Sequence, residues 1–176
     1  MTSPRILLRP TIAADRAVVI EMETDPEVRR YLGGPRDAAG VAADFDQYVA
    51  AGLPPQLGSW AIALLSSDER VGYVLLDRRH PDRPGHVVDG GSELELSYGL
   101  RRSAWGRGYA LEACRLLLAD AAAAKPDQPV VVVTQSGNAP SRDLALRLGF
   151  EPVSTFSEFD AEQQLLTLPL HAFRAV

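Results

Sequence analysis

The chain has one cysteine, Cys114, in 176 residues, so no intrachain disulfide framework can form and stability has to come from a packed core. Histidine is nearly as scarce. His80, His86 and His171 are scattered, with no HExxH or CxxC spacing, and no metal is expected. No apolar run reaches the length of a membrane span, and the opening "MTSPRILLRP" has no signal-like stretch, so no membrane partner is expected and the cytoplasm is the expected location. Cationic residues are the minority, 18 against 23 acidic ones; the net charge of -5 offers no general attraction to nucleic acid and leans mildly toward cationic substrates. Internal repeats, low-complexity linkers and domain boundaries are also missing. What is there is ordinary for a globular protein: 46% hydrophobic and 23% charged residues argue against disorder, and the length suits one domain over residues 1–176.

The pattern along the chain is strand, helices, a three-strand meander, helix, strand, helix and two strands. "RILLRP" (Arg5 to Pro10) reads as a first strand. Helical text follows from Ala13 to Glu23, and then "DPEVRRYL" offers Asp25 as N-cap with Pro26 in the first turn of a second short helix. A third helix runs from Ala38 to Ala51, stopped by "GLPP". "SWAIALL" and "RVGYVLL" form a hairpin, and Asp77 to Ser92 is a long Pro- and Gly-rich loop. "ELELSYGL" (Glu93 to Leu100) alternates, with Leu94, Leu96 and Tyr98 on one face and Glu93, Glu95, Ser97 and Gly99 on the other; Gly99 marks a bulge or a close backbone approach. From Gly108 to Lys125 the spacing of Ala110, Ala113, Cys114, Leu117, Leu118 and Ala121 predicts an amphipathic helix. "VVVV" (Val130 to Val133) reads as a strand buried on both faces, and Asn138 as the N-cap of a helix closed by Gly149. "EPVSTF" and "QQLLTLPL" supply two closing strands. The order gives an α/β pattern with a mostly antiparallel sheet and one strand-helix-strand crossover.

Between strand and helix stands "SAWGRGYA" (Ser103 to Ala110). A turn containing Gly106 and Gly108, followed at once by a helix, points several backbone N–H groups and the positive end of the helix dipole at one spot, which suits phosphate or pyrophosphate. Arg101, Arg102 and Arg107 add charge. The alternative is an ordinary strand-to-helix turn with its arginines in solvent. Neither a P-loop nor a dinucleotide fingerprint fits the glycine spacing.

"ELSYGL…SAWGRGYALEACRLLL" with "SGNAPSRDLALRLGFEP" downstream resembles the acyl-CoA-binding core of the GNAT N-acetyltransferase superfamily. Asn138, Ser141 and the Leu148-Gly149-Phe150 ending, together with the opening "ILLRPTIAADRAVVIEMETDPEVRRYLG", resemble the RimJ/RimL-like branch, which acetylates ribosomal-protein N-termini. The resemblance covers Arg5 to about Leu170. It implies an α/β (α+β) fold: a single GNAT-like domain with a mixed, mostly antiparallel sheet of six to seven strands, flanked by helices and containing a splayed central parallel strand pair. It further implies acetyl-CoA as cosubstrate, with backbone groups of Tyr98, Gly99 and Leu100 on the pantetheine arm and one N–H polarising the thioester carbonyl. Gly106, Arg107, Gly108, Tyr109 and Ala110 would then wrap the pyrophosphate, with Arg101 beside them, and Asn138 would bond the cofactor, cap its helix, or both. Two positions depart from the family pattern: Ser103 replaces a long polar residue in the loop, and Ala145 replaces a tyrosine that protonates the leaving thiolate, which passes that role to Ser141.

The implied chemistry is aminolysis of a thioester, and it requires a deprotonated amine held in line with the carbonyl. Glu93 and Glu95 are the candidate bases, with Glu95 nearer the bulge; the alternative for each is a solvated strand face. Cys114 and Phe150 read as core. Acceptors consistent with this are a protein N-terminus, an amino acid or a small-molecule amine, met by residues from Tyr31 to Asp37 and Asp77 to Ser92, in a monomer or homodimer. A non-catalytic acyl-CoA-binding or sensing module is the alternative, and a nucleotide-binding protein a more distant one.

Overall fold

The computed structural model describes residues 4–52 and 59–173; Pro54 and Pro55, the expected stop of the third helix, lie outside them. Seven strands are present: β1 (Ile6–Arg9), β2 (Ser59–Leu64), β3 (Arg70–Arg78), β4 (Leu94–Leu100), β5 (Pro129–Gln135), β6 (Glu151–Glu158) and β7 (Ala161–Pro169). Among the described residues four helices are interspersed with them: α1 (Arg16–Thr24), α2 (Ala38–Ala50), α3 (Tyr109–Ala124) and α4 (Ala139–Leu148). The strands hydrogen-bond in the order β1-β2-β3-β4-β5-β7-β6, the mixed sheet expected from the sequence. Two compact units are distinguished, Met1–Val74 with Tyr98–Ala113, and Leu75–Ser97 with Cys114–Val176.

In the first unit β1 runs antiparallel to β2, from Ile6 opposite Leu64 to Arg9 opposite Ala61. Ala61, Ile62 and Ala63 have no exposure, so β2 is covered on both faces. The Asp37 carboxylate accepts from Gly40 N–H at 2.8 Å and starts α2, whose Val41 and Phe45 are buried. The helix expected after Asp25 does not form. Asp25 accepts from the N–H groups of Glu27 and Val28, but residues 26–32 close as successive turns. The segment is too short to repay helix nucleation, and the Arg29 guanidinium bonds the Leu32 and Gly34 carbonyls, folding the chain back instead.

Gly99 marks a close approach. A Cβ built on it would lie 2.7 Å from the Tyr73 ring, and one on Gly72 would lie 2.3 Å from the Gly99 carbonyl oxygen.

In the second unit β5 is the spine. Val130, Val131 and Val132 are buried, and β5 pairs antiparallel with β7 over seven residues, from Pro129 opposite Pro169 to Gln135 opposite Gln163. The strand therefore outlasts its apolar run, because backbone bonds to β7 continue past Val133. On α3, Cys114, Leu117, Leu118, Ala121 and Ala122 are buried along the expected stripe. Asn138 caps α4 by accepting from Ser141 N–H, and Gly149 ends it in the left-handed region at φ 96°. β6 pairs with β7 and closes the sheet, with a register shift between Pro152 and Ser154.

Because the obstacle to a methyl group at Gly72 is backbone oxygen, Gly72→Ala should cost about 1–3 kcal/mol. Urea denaturation checks this; an unchanged midpoint would show that β3 can move away from β4.

Candidate functional site

β4 and β5 are parallel, and their register holds at Leu94 with Val130 and Glu95 with Val131. It ends there, although Leu96 and Ser97 continue β4 and Val132 to Gln135 continue β5. The strands form the expected fork, and Glu95 stands at its vertex.

Glu93 and Glu95 project from the same face of β4 but meet different surroundings. The Glu93 side chain has no exposure. Its carboxylate contacts Nδ1 of His86 at 2.6 Å and accepts from the N–H groups of Val87 and Val88 at 2.6 and 2.8 Å. Burial alone would raise its pKa, but the His86 contact and the backbone N–H groups prevail and hold it at about 2, against an ordinary 4.5. Glu93 is thus neither a solvated residue nor a usable base: it fastens the loop ahead of β4. Glu95 is 16% exposed at its side chain, and its Oε2 accepts from Arg79 Nη1 at 2.9 Å, with Arg83 Nη1 at 3.8 Å. The Arg79 hydrogen bond and the shortest approach of Arg83 both fall on Oε2. His86, Arg79 and Arg83 were not singled out from the sequence; the one available signal was the density of charge in "DRRHPDRPGH".

The glycine loop is built as a concave backbone turn. A short 3-10 turn at Arg102–Ala104 follows β4, and Trp105 folds back so that its indole N–H donates to the Leu100 carbonyl at 2.9 Å. Gly106 and Gly108 have φ of 72° and 80°, a conformation that favours glycine, and a Cβ on Gly106 would meet nothing within 4 Å. The N–H groups of Tyr109, Ala110 and Leu111 open α3 ahead of its first backbone bond, from Glu112 N–H to the Gly108 carbonyl at 3.2 Å. Arg5 secures the loop: it donates to the Arg107 carbonyl at 2.9 Å, lies 5.1 Å above the Tyr109 ring, and bonds Glu112 through Nε and Nη2 at 3.0 and 2.8 Å. Beside the loop is a depression of about 180 Å³ lined by Glu69, Val71, Arg101, Ser103, Arg107 and Tyr109, among others.

Arg101 is less available than the sequence implied. Its guanidinium bonds Glu21 at 2.6 and 3.1 Å and Glu69 at 2.5 Å, so its charge is already countered, whereas Arg102 and Arg107 are exposed. Tyr98, Gly99 and Leu100 are half-buried, as are Ala110, Ser141 and Asn138. The Asn138 side chain is occupied at both ends, accepting from Ser141 N–H at 3.4 Å and donating to Thr134 Oγ1 at 3.1 Å. Ala145 and Phe150 are buried. So is Cys114, whose thiol pKa is pushed up by desolvation, away from nucleophilic reactivity. Among the described residues no cluster of three or more His, Cys, Asp or Glu could hold a metal ion, and no helix is long and apolar enough to cross a membrane.

Residues 5–151 match the profile of the family described as acetyltransferase (GNAT) domain. An acetyltransferase of the GNAT family from Bacillus anthracis has the same fold, with a TM-score of 0.73 at 17% identity, covering 96% of this chain and 97% of that one. An acetyltransferase from Agrobacterium tumefaciens str. C58 is 25% identical, with a TM-score of 0.69 over 96% and 92% of the two chains. A RimL ribosomal L7/L12 alpha-N-protein acetyltransferase is 13% identical, with a TM-score of 0.69 over 94% and 91%, a likeness of fold alone.

The carboxylate of Glu93 yields a pH prediction. Its folded pKa is depressed, so its stabilisation is present above about 4.5 and is lost as pH falls toward about 2. The contribution is on the order of 3 kcal/mol. Urea midpoints measured between pH 5 and pH 2 should fall for the wild type and fall less steeply for Glu93→Gln; parallel curves would contradict the assignment.

Proposed function

The chain belongs to the GNAT acetyltransferases, and from that membership we propose that it works as one domain transferring an acetyl group from acetyl-CoA to a primary amine, by direct attack in a ternary complex. The observation that carries this reading is the position of Glu95 at the vertex of the β4–β5 fork. By the family resemblance, backbone groups of Tyr98, Gly99 and Leu100 are assigned to the pantetheine arm, and one N–H to the oxygen that becomes negative as the amine adds. The turn of Gly106, Arg107, Gly108, Tyr109 and Ala110 is assigned to the diphosphate. The open space over Gly106 and the first-turn N–H groups of α3 suit an anion held close to the backbone. Arg107, exposed and without a carboxylate partner among the described residues, supplies the charge that Ser103 does not. Arg101 acts at one remove, fixing the end of β4 against Glu21 and Glu69.

Glu95 takes the proton from the acceptor ammonium, directly or through water, so that nitrogen can attack. The departing thiolate takes its proton from Ser141. Asn138 holds the start of α4, which carries Ser141, in place. The acceptor is a protein N-terminus, an amino acid or a small-molecule amine. The "NAPS…LGF" block and the opening strand favour the RimJ/RimL-like branch and hence N-termini. We place the reaction in the cytoplasm, carried out without metal by a monomer or homodimer. Ala145 is fully buried and can give no proton, which keeps a second reading in view: an acyl-CoA sensor that has lost turnover.

A thiol-release assay with acetyl-CoA, run over N-terminal peptides, amino acids, spermidine and kanamycin, separates the two. An enzyme releases thiol with at least one amine, and Glu95→Gln should lower kcat about 10²- to 10⁴-fold. A sensor binds acetyl-CoA without turnover and is indifferent to that change. Gly108→Glu, which sets a carboxylate and a side chain where φ is 80°, should weaken acetyl-CoA binding at least tenfold by calorimetry; equal affinity would remove the loop from the site.

A further inference from the structure

Among the described residues Arg79 heads the largest side chains that are fully buried. A buried guanidinium is costly to desolvate, and an apolar residue of similar volume commonly serves a core as well or better. The charge therefore calls for a role beyond packing. Its contacts identify one. Nε and Nη2 both donate to the Pro84 carbonyl, which fixes the head group, and the backbone N–H donates to the Glu93 carbonyl at 2.8 Å, which fixes the main chain beneath it. The Phe156 ring lies 5.8 Å from the guanidinium carbon. Nη1 donates to Glu95 Oε2 at 2.9 Å. Glu158 is 3.5 Å away but is served by Arg83, which bonds both its oxygens at 2.8 and 3.0 Å. Glu95 is thus the carboxylate that depends on Arg79.

We propose that Arg79 is the positioning residue for Glu95: it pins Oε2 at the vertex of the fork and so fixes how the carboxylate meets the acceptor amine. This rests on Glu95 being the base. In the step served, the acceptor ammonium gives one proton to the Glu95 carboxylate, and the freed nitrogen forms a bond to the thioester carbonyl carbon. The carbon–sulfur bond then breaks, and its electron pair leaves on the thiolate, which takes up a proton. An arginine is suited to the task because its planar fork spans Pro84 and Glu95 together, whereas a lysine ammonium is a single point of charge on a flexible stem.

The test is a double-mutant cycle in the full chain, using acetyl-CoA and the fastest acceptor of the panel above, with fold checked by circular dichroism. Arg79→Lys keeps the charge and should lower kcat at least fivefold while leaving KM for acetyl-CoA within twofold. Added to Glu95→Gln, it should lower kcat no further, because its effect passes through the carboxylate. Arg79→Met, close in volume and apolar, should lower kcat more than Arg79→Lys does. Wild-type kcat in folded Arg79→Lys, or an equal loss in both backgrounds, overturns the proposal. Should Arg79→Met fail to fold, the Lys cycle alone decides. Wild-type kcat in Glu95→Gln would instead sink the base assignment, and this proposal with it.

Discussion

The two-residue parallel contact between β4 and β5 is the constraint from which the rest of the site follows. A parallel pair needs a crossover, and α3 supplies it. Had the ladder continued, the backbone groups of Leu96 and Ser97 would be bonded to β5 and closed to any ligand. Instead it stops at Glu95 and Val131, while β5 keeps a seven-residue ladder with β7 on its other side. One wall of the fork is therefore held firmly by a neighbour that has no part in opening it. A strand pair that ends this early is the kind of place where a ligand, rather than a neighbouring strand, can meet backbone polar groups.

Two carboxylates two residues apart on one strand face carry different roles because their partners differ. Glu93 is met by backbone N–H groups and an imidazole, which hold it ionised and out of solvent. Glu95 is met by guanidinium groups and keeps some exposure to solvent. Environment rather than residue type sets the two apart, as it does where paired acids in enzyme active sites divide their tasks. The loop between β3 and β4 supplies the partners for both, since His86, Val87 and Val88 serve Glu93 and Arg83 flanks Glu95. A change in that loop would reach Glu95 without touching it.

Much of this was legible in the sequence where short-range rules govern. The stripe on α3, the Asn138 cap, the Gly149 stop and the burial of Val130 to Val132 all follow from spacing and local backbone preference, and the structure has them. The fork was implied by family resemblance and appears at the expected strand. Side-chain partners were not legible, because they lie far away in the chain: Arg101 meets Glu21 across 80 residues, Arg83 meets Glu158 across 75, and Arg5 meets Glu112 across 107. Alternation shows which face Glu93 occupies but not that His86 and two N–H groups cover it. The stretch after Asp25 misled for the opposite reason. Its capping signal is real, but the next side chain to act, Arg29, bonds carbonyls that a continuing helix would have used.

The register shift at Pro152 has a consequence for the protein among its own copies. β6 is the last strand of the sheet and is exposed along most of its length. An open strand margin is a template on which other chains can polymerise. Pro152 has no N–H to offer, the irregularity before Ser154 breaks the spacing of the groups that remain, and Glu151 adds exposed negative charge at one end. Glu158, at the other end, is already held by Arg83. The irregularity thus makes the outermost strand a poorer template for a second copy of the chain.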